Sequence, residues 1–432
     1  MKSNKKIGVI GAGFVGLAHS VFLSEEYKQV IIYDRDEDLI ERLKEGNIDI
    51  FTEDRTLKKQ ASKNIKNGSL LPTNQFNDLK GASIIFFAIG LDFKNSKNGY
   101  ENLDQIFKNV SKIINNQTLL VLETTVPPGT VDNFILPSIF KGNKKIDKDN
   151  LRFVYSYERV MPGPEYMSSL KTLPKVFGAL NESSKRIYKN HLKRTLPDLD
   201  HICLKNIVSA EYSKVVENTY RMVNIALIGE LTNFGKSINA DVPSILEAIR
   251  KRPTHSNIRF PGQAPGGYCL TKDPDFLLVS NDQMRLNEDL NILKASSRLT
   301  KKLNKKVEEY VEEVLDKKMS VCFLGLSYRS GVGDLRESSS LDLALSLNKK
   351  GYINHFIDPF VNQKDLPKFI KLTQMSKSEF GQAVLSVRHN IFNLKYLKSF
   401  KTIIDINSCL SVDEREYLKN QGLNIFQYGD FA

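Results

Sequence analysis

The chain has no tryptophan, four cysteines and six histidines in 432 residues, and no long apolar run. Cys203, Cys269, Cys322 and Cys409 lie far apart, forming neither a CxxC pair nor a metal-ligand spacing with the histidines. That argues against a disulfide framework and a zinc module, and no metal is expected. No apolar stretch approaches the roughly 18 residues of a membrane span. Also missing is a stripe of basic residues interleaved with aromatics: the lysines are scattered in NKK and KK pairs. The formal charge of +12 and the pI near 9.2 therefore read as a solvated lysine-rich surface, with neither nucleic acid nor membrane as partner. The opening MKSNKKIGVIGAGFVG is basic and then apolar, but no small-residue cleavage site follows, so a cytoplasmic protein is expected.

What is present points to two or three domains, because 432 residues exceed what one hydrophobic core organises. KIGVIG, QVIIYD, SIIFFAIG, TLLVLETT and LRFVYSYE read as strands alternating with amphipathic stretches, which implies a parallel sheet with helices on both faces. Residues 205–250 change to helical periodicity with no proline before Pro243, predicting a long helix and a shorter one. A second helical patch leads into MSVCFLGLSY, YINHFIDPF, GQAVLSV and TIIDINS, another α/β pattern. The fold class expected is thus α/β, with two Rossmann-like, doubly wound parallel-sheet domains joined by a central long-helix region. The expected segments are 1–204, 205–315 and 316–432, with the ligand in the cleft between the α/β ends.

In GVIGAGFVG, Gly11, Gly13 and Gly16 directly follow a strand, and Asp34 ends the next strand. The glycines permit a tight turn, close approach to a pyrophosphate and close helix packing, while the acid holds a ribose hydroxyl. Asp34 favours NAD over NADP because a carboxylate repels a 2′-phosphate; Arg35 beside it pulls the other way. Glu211, Lys214, Asn218 and Arg221 are spaced by three, four and three residues, so they share one helix face. The bland alternative there is a solvated stripe with a Glu211–Lys214 ion pair. ETTVPPGT leaves Thr124 and Thr125 at the carboxyl edge of the sheet, and YSYERVMPGPE offers Glu158 and Arg159 after another strand. In PGQAPGGYCLTKDP, Cys269 sits in a glycine- and proline-rich loop four residues before Asp273, with Lys272 or a lysine across the cleft to lower the thiol pKa. A buried structural cysteine is the competing interpretation.

Seven blocks in order resemble the UDP-glucose/GDP-mannose dehydrogenase family: GAGFVG, ETTVPPGT, SYERVMPG, AEYSKVVEN, GGYCLTKD, LGLSYRSGVGDLRESSS and IDPF. The resemblance implies an NAD-dependent, four-electron oxidation of a sugar C6 alcohol to a carboxylate. It makes Cys269 the nucleophile that forms a thiohemiacetal and then a thioester, and Lys214 and Asn218 the oxyanion donors. Asp273 would position water, with Thr125 and Glu158 in the same network. The cofactor set it implies is Gly11, Gly13, Phe14, Val15, Gly16, Asp34, Arg35, Thr125 and Arg336. For the nucleotide-sugar it is Arg159, Val160, Lys214, Asn218, Arg221, Gly266, Gly267 and Arg329. Family members pair through the long helix, so a homodimer is expected; Arg252, His255 and Arg259 are candidates to enter the neighbour's site.

ERVMPG, with Pro162 where glucose and mannose enzymes carry a second glutamate, is similar to the branch acting on UDP-N-acetylhexosamines. GGYCLTKD and GDLRESSS are closer to the UDP-glucose enzymes, and the balance taken here is towards an N-acetylhexosamine. FFAIGLDF and IDIFTEDRT also depart from the family pattern around the cofactor pocket. Two other functions compete: a protein that stops after one hydride, and a nonenzymatic NAD-binding regulator. Lys214, Asn218, Cys269 and Asp273 together argue against the latter.

Overall fold

A computed structural model describes residues 2–48, 54–91, 96–159, 163, 165–267, 270–352, 355–373 and 381–432, excluding the side chains of 96–98. Cys269, Val160, Pro162 and parts of FFAIGLDF and IDIFTEDRT lie outside the described residues. The chain divides into two compact units. One comprises Met1–Glu217 with Asp275–Glu288, the other Asn218–Pro274 with Asp289–Ala432.

The first unit is built on eight strands: β1 (Ser3–Ile10), β2 (Tyr27–Tyr33), β3 (Leu70–Thr73), β4 (Ile84–Phe87), β5 (Leu119–Leu122), β6 (Arg152–Tyr155), β7 (Lys175–Ala179) and β8 (His201–Cys203). Their order is β3-β2-β1-β4-β5-β6-β7-β8. The central strands β4 (IIFF) and β5 (LLVL) are buried at every position, as a sheet covered on both faces requires. The chain winds outward from β1 in both directions, so the β1/β4 junction is a topological switch point, where open α/β sheets bind ligands. β1 to β6 are parallel, as the alternating pattern predicts, but β7 pairs antiparallel with β6. β3 (LLPT), β7 (KVFGA) and β8 (HIC) escape sequence analysis: β4, β5 and β6 are as short but stand in longer apolar runs, whereas proline, glycine or adjoining charge interrupts these three.

The second unit has an all-parallel sheet in the order β10-β9-β11-β12-β13: β9 (Val321–Leu324), β10 (His355–Ile357), β11 (Gln382–Leu385), β12 (Thr402–Asp405) and β13 (Asn424–Gln427). Its switch point lies between β9 and β11, flanked by the LSYRS loop.

The predicted helices form at Ile207–Ser237, Val242–Arg250 and Asn291–Val314. The compact units nevertheless differ from the three expected segments, and burial explains why. Ile207, Ala210 and Val215 enter the first unit's core and so does Phe276, which draws the start of the long helix and residues 275–288 into that unit. Past Glu217 the helix buries Ile228 with Val242 and Leu246. A Cβ at Gly229 would lie 2.2 Å from Leu303, so the glycine allows the helix Asn291–Val314 to pack closely.

Candidate active site

The glycine turn after β1 is built as its spacing demands. Gly11 takes φ +103°, and a Cβ there would meet the Ala88 carbonyl oxygen at 2.3 Å; one on Gly16 would lie 1.8 Å from the Gly11 carbonyl oxygen. Nothing lies within 4 Å of a Cβ at Gly13, the one exposed glycine of the three. Two glycines therefore permit backbone contact, and the third leaves room for a ligand. Asp34 Oδ2 accepts the Ala12 N–H at 2.8 Å, which ties the acid at the end of β2 to the turn. Beside them lies a cavity of about 640 Å³ lined by Gly11, Gly13, Asp34, Arg35, Phe76 and Gly90, among others. Cradle, acid and volume together fit a dinucleotide. Phe14 and Val15 are half-buried at the start of the helix Phe14–Glu26, and Phe14 packs on the core.

The loop after β5 is held from two sides. Thr124 Oγ1 accepts the Ile89 N–H at 2.9 Å and donates to the Ile89 carbonyl at 3.0 Å. Glu211, fully buried, accepts the Gly129 N–H at 2.7 Å and the Val131 N–H at 2.9 Å. Burial pushes the Glu211 carboxyl up to about 8, against the two backbone donors that pull it down. Its role is thus to anchor the VPPGT turn, not to pair with Lys214. Thr125 sits half-buried between these clamps.

Lys214, one turn along the long helix from Glu211, is 8% exposed; its Nζ donates to the Glu158 carbonyl at 3.2 Å and lies 5.5 Å from the centre of the Tyr157 ring. The Glu158 carboxylate points the other way and pairs with Lys175 on β7, both side chains being nearly buried. Arg159 donates to Tyr157 Oη at 3.0 Å and pairs with Glu217 at 3.2 Å.

In the second unit, Asn218 is 4% exposed, and its amide donates to Asp273 Oδ2 at 2.7 Å. Lys272 reaches Asp273 Oδ1 at 2.6 Å, so its ammonium serves a fully buried carboxylate. The glycines of PGGYC let their loop lie on Tyr328. A Cβ on Gly266 would meet Tyr328 Cβ at 2.7 Å; Gly267 takes φ +86°, and its N–H donates to the Glu337 carbonyl at 3.2 Å. Arg329 and Arg221 are half-buried. Arg336 spends its guanidinium on Asp334 of its own loop, at 2.7 to 3.1 Å, with half of the side chain exposed.

The helix thus carries Glu211, Lys214 and Asn218 as three buried polar groups on one face, each with a partner. A solvated stripe does not account for them. Thr124 and Glu158 were singled out from sequence, but the clamp of the one on Ile89 and the carbonyl contact of the other to Lys214 were not, nor was Gln263, whose Oε1 accepts from Ser386 and Asn407. Only proximity to PGGYC marks Gln263.

Comparison with known proteins places the chain in a family. Three models of the UDP-glucose/GDP-mannose dehydrogenase family match: the NAD binding domain over residues 5–195, the central domain over 208–302 and the UDP binding domain over 322–420. A UDP-N-acetyl-D-mannosamine dehydrogenase of Pyrococcus horikoshii is 27% identical over 372 residues, covering 82% of this chain and 84% of the relative. A UDP-glucose 6-dehydrogenase of Rickettsia bellii is 26% identical over 370 residues, covering 82% and 80%. Among solved structures, the UDP-D-ManNAc dehydrogenase of P. horikoshii superposes with a TM-score of 0.81 at 21% identity, covering 98% of this chain and 99% of that one. The UDP-glucose dehydrogenase of Pyrobaculum islandicum gives 0.80 at 18% identity, covering 100% and 99%. With its three domains matched in order and a dinucleotide cradle of the required form, the chain belongs to the UDP-glucose/GDP-mannose dehydrogenase family and uses NAD.

Proposed function

We propose that the protein oxidises the C6 alcohol of a UDP-N-acetylhexosamine to the carboxylate in two steps. NAD, bound in the glycine cradle, supplies the hydride acceptor for each oxidation. Cys269, as thiolate, adds to the C6 aldehyde to give a thiohemiacetal; loss of the second hydride leaves a thioester, and water releases the acid and restores the thiol. Lys214 and Asn218 lie one turn apart on one helix, and as cation and amide donor they suit an oxyanion on C6. Asp273, held by Asn218 and Lys272, orients the water. Thr125 borders the nicotinamide. The observation that carries this reading is the burial of Lys214, Asn218 and Asp273 as paired polar groups on and beside one helix. Arg159, Val160, Arg221, Gly266, Gly267 and Arg329 bind the nucleotide-sugar. Arg336 reaches the NAD pyrophosphate after leaving Asp334.

The N-acetylhexosamine assignment is supported by ERVMPG and by the printed names of relatives such as that of P. horikoshii. UDP-glucose is the second reading, supported by the R. bellii relative. Initial rates of NADH formation on UDP-N-acetylmannosamine, UDP-N-acetylglucosamine and UDP-glucose test the choice; fastest turnover of UDP-glucose would overturn it.

The working form proposed is a homodimer through the long helix. Tyr220, Leu227, Leu231, Phe234 and Ile238 recur every three, four or seven residues and are 47 to 65% exposed, an apolar seam that a second copy of the same helix fits. Among the described residues no helix is long and apolar enough to cross a membrane. We place the enzyme in the cytoplasm, with neither membrane nor nucleic acid as a partner.

A further inference from the structure

Behind the ends of β5 and β6 the first unit buries four ionisable side chains together. His19, on the helix after the glycine turn, is 5% exposed, and its Nδ1 lies 2.8 Å from Oε2 of Glu123, itself 5% exposed. Glu158 pairs with Lys175. One atom each of His19, Glu123 and Glu158 lie within 4.8 Å of one another. A cavity of about 10 Å³, space for one water, is lined by these groups and by Tyr188 and His191 of the helix Glu182–Thr195.

Bulk water does not screen this cluster, so its charges have to balance internally. Two carboxylates face one ammonium, which leaves a deficit of one proton. The other facing groups do not supply it. His191 is held down to about 3 by burial, so it stays neutral, and its Nδ1 is paired with the Tyr27 hydroxyl at 2.8 Å. Burial raises Tyr27 to about 12 and Tyr188 well above the usual range, so both keep their own protons. The missing proton therefore rests on His19 or Glu123. Burial raises the Glu123 carboxyl, and His19 pulls it back. Without that proton, Glu123 becomes a second buried anion beside Glu158 and competes for Lys175.

We propose that His19 is a positioning residue for Glu158: sharing one proton with Glu123, it leaves Lys175 committed to Glu158. The consequence for catalysis runs through Lys214, whose ammonium rests on the Glu158 carbonyl, and this part depends on the function proposed above.

The test compares wild type with His19→Gln, Glu123→Gln and the double variant. Glutamine at position 19 keeps a donor for Glu123 but does not carry the proton. In His19→Gln the thermal midpoint, relative to wild type at the same pH, is expected to drop by about 2 °C or more between about pH 4.5 and pH 6.5, where the unfolded wild type still carries a proton on its histidine and the unfolded variant carries none. Above that range, as Glu123 ionises in the folded variant, kcat falls about tenfold relative to wild type, while KM for NAD stays within about twofold. The double variant restores kcat to within about threefold and the midpoint to within about 1 °C of wild type, because a neutral glutamine at 123 no longer competes for Lys175. A pH-independent loss shared by His19→Gln and the double variant would overturn the proposal, since that is what lost packing predicts. Should His19→Gln fail to fold, the proposal still requires the double variant to fold, and its failure refutes the idea equally. The midpoint is read without substrate, so it answers even for a chain that oxidises no UDP-sugar; rescue of the midpoint without rescue of kcat would refute the link to Glu158.

Discussion

Replacing Glu211 by glutamine isolates the cost of keeping a carboxylate under the VPPGT turn. The side chain is fully buried, and its carboxyl is raised from 4.5 to about 8, chiefly by burial. Between those values the folded protein keeps a proton that the unfolded chain has lost. The unfolded state binds fewer protons, and stability falls as pH rises, by about 1.4 kcal/mol per pH unit. Glutamine is neutral throughout and escapes this slope. Near pH 4.5 the two proteins should agree within about 1 kcal/mol, because each presents one good acceptor to the Gly129 and Val131 donors. From about pH 5.5 to pH 8 the variant should gain about 3 kcal/mol on wild type. Urea unfolding of both proteins, followed by circular dichroism at three pH values across that range, measures the difference. A gap that does not change with pH would refute the reasoning: the two N–H donors would then hold the carboxylate ionised throughout, and burial would not be the dominant influence.

Other outcomes follow from the same geometry. Gly16→Ala places a Cβ 1.8 Å from the Gly11 carbonyl oxygen, so NAD affinity measured by calorimetry should fall at least about tenfold; unchanged affinity would mean that the turn yields freely. Asn218→Ala removes a buried amide donor and leaves Asp273 with Lys272 alone. Its kcat should drop by about 10² to 10³ with NAD binding intact, and a fall in NAD affinity of similar size would remove Asn218 from the chemistry. Phe234→Asp puts a charge on the exposed seam, and sedimentation should report monomers; a wild type already monomeric at micromolar concentration would dispose of the dimer.

Much of this was legible in the sequence because its physics is local. Strand, glycines and acid appear in register, and their contacts in the fold are those their spacing requires. The helix face was legible too, since three- and four-residue spacing fixes direction. What each residue on that face touches was not: Glu211 reaches backbone some 80 residues away, and Lys214 finds the carbonyl of Glu158 while the carboxylate turns to Lys175. Such pairings depend on chain crossings that no period records. His19 shows the limit most plainly, for within GLAHSVF it looks like one more residue of a core helix, and only the fold brings Glu123 to it. The division into two compact units was not legible for a related reason, as Phe276 and the first turns of the long helix choose their core by packing.

The most direct test of the central claim is the ratio of NADH formed to UDP-sugar consumed, counted to completion with the purified protein on its fastest substrate. Oxidation through a Cys269 thioester predicts two NADH per sugar and a uronic acid product, with Cys269→Ser still binding NAD but forming no acid. One NADH per sugar, or acid formed by Cys269→Ser at the original rate, would contradict it.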